Sequence, residues 1–349
     1  MNCIQAKDKK QIKRFKKFRR TLYQNDPFYV STVEFTVDML LEKTTKFAKN
    51  CITRPIMIEE NQHVVAQCIL VKYLNDDFVQ MAFFEALESQ EQAVALLKEQ
   101  AQDFAEEMGG HRIIVGLNGH LSYGVGLSLD MEKPNTFDST YTKTYYPQYF
   151  ADGKEHKLVA FRNTIEVFRS KLIQRPSKIT VRPIDFQNFS KEMELFKQVC
   201  DETIGTTFLY SPTQDKHFEE LIGEMKFFLR KENILFAFDG NEMVGFLFWH
   251  PDYNEILKKG KQNSLLSIAL RYTLFKKKIQ TIKVNSIGVK EKYQGRVTIQ
   301  LLNEMMKYIN SYTYAETNFV WENNRKSMAI NKHIGEHIER NFAVYEYEI

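Results

Sequence analysis

Three stretches of this 349-residue chain hold residues in patterns that could do chemistry. The first is a strand, a turn and a helix in succession. Val284–Val289 reads as the strand, Glu291–Arg296 as the turn, and a helix follows over 298–311. Unpaired N–H groups at a helix start, together with its positive dipole end, bind phosphate. The second is charge. Residues 7–20 carry nine Lys/Arg and one acid, a net of +8, and residues 256–296 carry eleven and one, a net of +10. Because the whole chain sums to only +4, the remainder carries −14. The block 256–296 runs from Lys258-Lys259 through Lys276-Lys277-Lys278 to Lys290, Lys292 and Arg296, ending at the phosphate-type turn. There it would draw an anionic ligand; a solvated lysine-rich loop is the competing reading. The third is His333-Ile334-Gly335-Glu336-His337, which has the spacing of a zinc peptidase. Gly335 interrupts the helix such a site needs, so no metal is expected. Gly-x-Ser-x-Gly, Walker and Gly-x-Gly-x-x-Gly motifs do not occur.

The elements around these stretches suit a soluble α/β protein. The chain is 43% hydrophobic and 26% charged, without the bias that marks disorder. No apolar run reaches 18 residues, and the basic start lacks the apolar core of a secretory signal. Cys3, Cys51, Cys68 and Cys200 are widely spaced, which fits a reducing, cytoplasmic setting. In the block 7–20, Ile12, Phe15, Phe18 and Leu22 recur at helical spacing. Its cations then form either a solvated face or a surface for nucleic acid or anionic membrane. Strands are expected over Pro55–Glu59, Val64–Tyr73 and Val79–Leu87, then a helix over Gln90–Met108 stopped by Gly109-Gly110, then a strand over Ile113–Leu117. A similar order returns: strand Ile179–Pro183, helices 189–202 and 214–230, and strands Ile234–Asp239 and Met243–His250 about an Asp239-Gly240-Asn241 turn. Strand Ile282–Val289, helix 298–311, strand Ala315–Trp321, a helix capped by Asn324 and a last strand Phe342–Ile349 complete it. Two copies of one mixed layout are the simplest summary, with domains 1–165 and 178–349.

The second half resembles the GNAT superfamily of acyl-CoA N-acyltransferases, whose phosphate turn reads (Gln/Arg)-x-x-Gly-x-(Gly/Ala). The whole chain resembles a group of tandem GNAT-like bacterial proteins. Leu22-Tyr23-Gln24-Asn25-Asp26-Pro27-Phe28-Tyr29-Val30 is similar to that group's Leu-Tyr-x-x-Asp-Pro-x-Trp-Val. Phe208-Leu209-Tyr210-Ser211-Pro212-Thr213 is similar to Trp-Gly-Phe-x-Pro-x-Thr. Pro251-Asp252-Tyr253-Asn254 matches Pro-Asp-x-Asn, and Trp321-Glu322-Asn323-Asn324-Arg325 is a one-residue-shorter form of Trp-x-x-x-x-Asn-Arg.

The resemblance implies tandem α/β (α+β) domains, each a mixed sheet flanked by helices. It also implies transfer of an acyl group from acetyl-CoA or another acyl-CoA to a small-molecule or protein amine, without a metal. The donor would lie on Ile287, Val289, Gln294, Gly295, Arg296, Val297, Thr298 and Asn324. On the GNAT layout Asp252 and Glu322 would do the proton chemistry, while Phe208, Tyr210 and Asn254 would line the acceptor pocket. Turn formation, capping and core packing are the structural alternatives for these residues.

Some positions depart from the pattern. Val297 and Ile299 stand where glycines belong. Glycine is wanted there because a Cβ keeps phosphate away from the backbone and resists positive φ; for a β-branched residue the φ penalty alone is about 1–2 kcal/mol, or about tenfold in binding. Asn331 replaces the tyrosine acid that many GNAT enzymes place four residues before a glycine, here Gly335. In the first half the corresponding turn, Glu85–Glu91, holds three carboxylates and no glycine, so no CoA site is expected there. Two other readings keep the fold: a non-catalytic binding module, and a Fem-type transferase using aminoacyl-tRNA. The coiled-coil insertion of the latter is not evident, and nucleic acid is not the expected partner.

Overall fold

The computed structural model describes residues 1–31, 33–130, 133–172, 177–212, 216–334 and 337–349. In chain order they form β1 (Asn2–Gln5), α1 (Lys9–Tyr23), β2 (Val30–Ser31), α2 (Val33–Leu41), α3 (Lys46–Lys49), β3 (Cys51–Glu60), β4 (His63–Tyr73) and β5 (Phe78–Ala86). Next come α4 (Glu91–Met108), β6 (Arg112–Val115), β7 (Leu127–Ser128), β8 (Lys154–Thr164), α5 (Ile165–Lys171), β9 (Thr180–Pro183), α6 (Phe189–Ile204) and α7 (His217–Met225). The rest are β10 (Ile234–Asp239), β11 (Glu242–Pro251), β12 (Lys261–Gln262), α8 (Leu265–Phe275), β13 (Thr281–Val289), α9 (Arg296–Met306), β14 (Tyr314–Thr317), β15 (Val320–Trp321), α10 (Arg325–Ile334) and β16 (His337–Glu348). No helix among the described residues is long and apolar enough to cross a membrane.

The chain makes two compact units. Unit 1 is Met1–Leu158, Lys258–Ser264 and Arg340–Ile349, and unit 2 is Val159–Leu257 and Leu265–Glu339. A division at 165–178 therefore does not describe them. Strand pairing, which ignores chain order, is the reason. Residues of β8 pair with β14 of unit 2 (Asn163 opposite Ala315), and β16 pairs with β6 of unit 1 (Tyr345 opposite Val115).

In unit 1 the strand order is β1-β3-β4-β5-β6-β16, antiparallel except for the parallel β5/β6 pair. Val94, Leu97, Ala101 and Phe104 of α4 bury one stripe against it, and Gly109 ends the helix at φ 64°. Helix α1 opens on a capping box between Asp8 and Gln11 and buries Phe15, Arg19 and Tyr23. Four of the nine cations of residues 7–20 are paired: Arg14 with Glu59, Lys16 with Asp38, Arg19 with Glu85 and Arg20 with Glu34. The first basic block is thus neutralised in part within its own unit.

In unit 2 the order is β8-β14-β13-β11-β10-β9. Phe196 and Phe218 of α6 and α7 pack with Phe236 and Phe246 on one face. Val297, Leu301 and Met305 of α9 pack with Leu235, Leu247 and Ile282 on the other. Helix α7 is shorter than the expected 214–230, of which 214 and 215 lie outside the described residues. Helices α2, α3, α5 and α8 were not foreseen from periodicity.

Candidate functional site

The central strands of unit 2 separate. β13 and β14 run parallel and in register from Thr281 opposite Tyr314 to Val284 opposite Thr317, and one further bond joins Asn318 N–H to the Val284 carbonyl at 2.8 Å. Beyond it, Asn285–Val289 keep β11 on one side and have no strand partner on the other among the described residues. Asn285 is itself an extra residue, since Phe248 faces Ser286 and Trp249 faces Val284. The opening leads to a cavity of about 810 Å³, within the range of small-molecule sites. Val284, Ile287, Gly288 and Val289 of β13 line it, with the end of α6, the start of α9, β14 and α10 around them.

The helix at the mouth is open at its first turn. Gly295 is the N-cap of α9 at φ 80°, a conformation suited to glycine, and no side chain caps it. The first bond of the helix is Ile299 N–H to the Gly295 carbonyl, so the N–H groups of Arg296, Val297 and Thr298 have no partner within the helix. Gly295 and Thr298 line the cavity. Gly288 lets α6 come close: a Cβ there would lie 2.3 Å from the Thr203 hydroxyl and 2.4 Å from the Phe246 ring. Across the cavity Phe208 packs edge-on to Trp321 at 5.2 Å, and the buried Trp321 indole N–H has no partner among the described residues.

A row of charge crosses the same sheet. His250 is opposite Lys283, Lys283 opposite Glu316, and Glu316 opposite Arg162, on four adjacent strands. His250, Lys283 and Glu316 are fully buried. Arg162 lies 3.5 Å from Glu316 and donates to the Thr281 hydroxyl at 3.2 Å. Burial, and then the Lys283 charge, pull His250 down to a pKa of about 3, so it is neutral at physiological pH. Glu316 is also among the residues that line the cavity.

The equivalent turn of unit 1 is filled by its own side chains. Between β5 and α4, the Gln90 N–H donates to the Tyr149 hydroxyl and the Ala86 N–H to that of Tyr146, both at 3.1 Å. Tyr145 donates to the Ala86 carbonyl and Tyr149 to that of Leu87. Glu85 does not face the turn as a repelling charge. It is fully buried, paired with Arg19 and hydrogen-bonded by Tyr23 at 2.8 Å and Tyr146 at 2.7 Å.

No family model matches this sequence, and no curated protein does. Solved structures do. A tandem GNAT protein from the clavulanic acid biosynthesis pathway matches at 9% identity and TM-score 0.56, covering 99% of this chain and 98% of its own. An acetyltransferase of the GNAT family from Colwellia psychrerythraea matches at 9% and 0.51 over the full length of both chains. A GCN5-related glucosamine N-acetyltransferase region of a fungal multi-domain β-N-acetylglucosaminidase matches at 10% and 0.60, covering 99% of this chain and 38% of that one. The fold is that of the tandem GNAT proteins. At these identities the likeness is one of fold.

On this GNAT-type scaffold the cavity gathers Phe208, Ile287, Val289, Gln294, Gly295, Thr298 and Asn324. Gln294 accepts from Lys326 at 3.1 Å, and Asn324 caps α10 by accepting the Ser327 N–H at 3.1 Å. Other expected residues stand elsewhere. Val297 turns into the core, fully buried, and Arg296 is exposed outside the lining. Asp252 and Asn254 do not join the site. Antiparallel pairing puts the end of β11 beside the start of β13, where the Asp252 N–H bonds the Thr281 carbonyl. That is a strand's length, about 26 Å, from Val289. There Asp252 is buried and accepts the Asn254 N–H in a capping turn. Glu322 is exposed and outside the lining, although Trp321 and Asn323 belong to it. Tyr210 also lies outside the lining, its hydroxyl donated to Asp201.

The second basic block does not converge on the turn either. Lys276–Lys278 precede β13 and so sit at its far end, and Lys258, Lys259 and Lys261 belong to unit 1. Lys290, which is at the turn, is held between Glu202 at 3.0 Å and Glu242 at 2.9 Å. Of the His333–His337 motif, Gly335 and Glu336 lie outside the described residues, as does Thr213. Among the described residues no group of three or more His, Cys, Asp or Glu could hold a metal. The carboxylate Glu316 and the row behind it were missed in the sequence. A Lys and a Glu in separate strands 33 residues apart give no local signal.

Proposed function

We propose that unit 2 is an N-acyltransferase, taking an acyl group from acyl-CoA and delivering it to an amine. The observation that carries this reading is the parting of β13 and β14 after Val284 and Thr317, beside a helix start with unpaired N–H groups. Acyl-CoA would supply an activated thioester. The residues present suit such a donor. Phosphate oxygens find the N–H groups of Arg296–Thr298 and the dipole of α9, and an amide-bearing arm finds the edge of β13 over Ser286–Val289, beyond its pairing with β14. Gln294, Gly295, Thr298 and Asn324 bound the donor end, and Phe208 bounds the acceptor side.

The acceptor amine must lose a proton to attack. We assign to Glu316 the role that the resemblance gave to Asp252 and Glu322: it is a buried acid among the cavity's lining residues, and its carboxylate would orient an ammonium and receive its proton through water. The test is thermal unfolding with millimolar acetyl-CoA, followed by transfer assays on a panel of amines. Stabilisation of about 1.4 kcal/mol is expected at tenfold excess over Kd. The Glu316→Gln variant should retain that stabilisation and lose transfer about 10²-fold or more. No stabilisation by acetyl-CoA refutes the donor, and unchanged transfer in the variant refutes the role of Glu316.

A second reading rests on the acids at the turn. Glu202 and Glu242 neutralise Lys290, and Glu291 accepts from Lys326 at 3.5 Å. That balance favours a less highly charged ligand held by a non-catalytic unit. Under it, stabilisation appears with neutral or cationic compounds and is absent with acetyl-CoA.

A further inference from the structure

Helix α8 of unit 2 has two apolar faces and uses one. Ile268 and Tyr272 are buried, with Tyr272 packed edge-on to Tyr253 at 5.2 Å. On the opposite side Leu266, Leu270 and Leu274 recur every fourth position and stand 80%, 61% and 64% exposed. They form a straight stripe about 12 Å long. Scattered exposed leucines are ordinary, whereas three in line on one helix are not.

Cations border this stripe. Lys276, Lys277 and Lys278 follow the helix directly and are all exposed. Phe275, between stripe and lysines, has Arg271 and Lys278 each 5.1 Å from its ring. Acids near the patch are few: Glu232 pairs with Arg230 at 3.5 Å, and Glu255 accepts the Gln280 N–H. From residue 256 to 290 the sequence contains no Asp or Glu.

We infer that α8, with Lys276–Lys278, is a docking surface for an anionic phospholipid membrane. The helix lies flat in the interface with Leu266, Leu270 and Leu274 among the acyl chains and the lysines at the headgroups. A protein partner or a second copy would match the leucines alone. Exposed leucines beside an uninterrupted set of cations match a surface that is apolar beneath and negative above. This inference is independent of the proposed transferase activity.

The test is co-sedimentation of the full chain with vesicles of neutral phosphatidylcholine, and with vesicles containing about 30% phosphatidylglycerol. Binding is expected to the anionic vesicles only, falling steeply when salt is raised to about 0.5 M. The K276Q/K277Q/K278Q variant should weaken binding about a hundredfold, at roughly fivefold per lysine. The L266S/L270S/L274S variant should weaken it at least tenfold, and its circular dichroism should match the parent because the side chains removed are exposed. As an independent reading, Leu270→Trp fluorescence should shift to the blue on anionic vesicles. Failure to bind anionic vesicles at low salt overturns the inference, as does binding unchanged by the leucine replacements. A lipid-free dimer abolished by those replacements overturns it in favour of a second copy.

Discussion

Restoring glycine at position 297 should damage this protein rather than repair it. The motif comparison places a glycine there because the backbone must bend and phosphate must come close. In the structure the bend occurs two residues earlier, at Gly295 with φ 80°, and Val297 is already inside α9. Its side chain is fully buried in the α9 core with Leu301 and Met305. The fit is tight: a Cβ added to Gly245 would lie 3.1 Å from Val297 Cγ1. Val297→Gly therefore removes about 2 kcal/mol of burial, leaves a cavity, and adds up to about 1 kcal/mol for glycine in a helix. The total is about 3 kcal/mol. Urea unfolding can be followed through Trp249 and Trp321, the two tryptophans of the chain, both in unit 2. With a slope of about 2 kcal/mol per molar, the midpoint should fall by about 1.5 M. Gly295→Ala is the comparator. It meets no atom within 4 Å and carries only a φ penalty of about 1–2 kcal/mol, so its shift should be smaller. A Val297→Gly midpoint within about 0.3 M of the parent would refute the reasoning, as would tenfold tighter binding of acetyl-CoA.

Three further outcomes follow from the packing and the buried charges. Gly288→Ala should destabilise unit 2 by about 2–3 kcal/mol, because its methyl would overlap Thr203 and Phe246, and the same tryptophan signal reads it. Unit 2 should weaken in acid from pH 6.5 downward. His250, held neutral to about pH 3, takes up its proton only on unfolding, which costs about 2 kcal/mol of stability by pH 5. His250→Gln should flatten that profile, and an unchanged slope would count against it. Glu85→Gln should cost about 3–5 kcal/mol by leaving the Arg19 charge buried without its partner, measured by hydrogen exchange in β5.

Local pattern made much of the fold legible. The hairpin about Gly240, helix α4 with its Gly109 stop, β13 and the α10 cap at Asn324 all rest on residues within one turn of each other. What was not legible depends on pairing over distance. β16 completes a sheet whose other strands begin more than 200 residues earlier, and the His250–Lys283–Glu316–Arg162 row exists only once four strands are aligned. Asp252 was drawn to the site by its motif. The antiparallel register carries it to the other end of the sheet. Helix α8 escaped notice because its leucines face outward, so its pattern is not that of a helix packed by one stripe.

Two of the departures from the glycine patterns, at Val297 and Leu209, are physically different, although in the sequence they look alike. At Val297 the backbone is helical, so a β-branched residue is at no conformational disadvantage and its burial is a gain. At Leu209 the pattern also has glycine, and there the chain does take a left-handed conformation, with φ 61°. Leucine bears a cost of about 1 kcal/mol in that region, so this is where a glycine is missed. Leu209 follows Phe208, whose ring packs on Trp321 at the cavity wall. Burial of the leucine side chain offsets that cost. The glycine lost at 297 thus leaves the start of α9 open, with Gly295 making the turn, while the one lost at 209 puts a buried leucine in a left-handed position beside the cavity wall. On the proposed transferase reading, the donor geometry is kept and the acceptor wall is the side that differs.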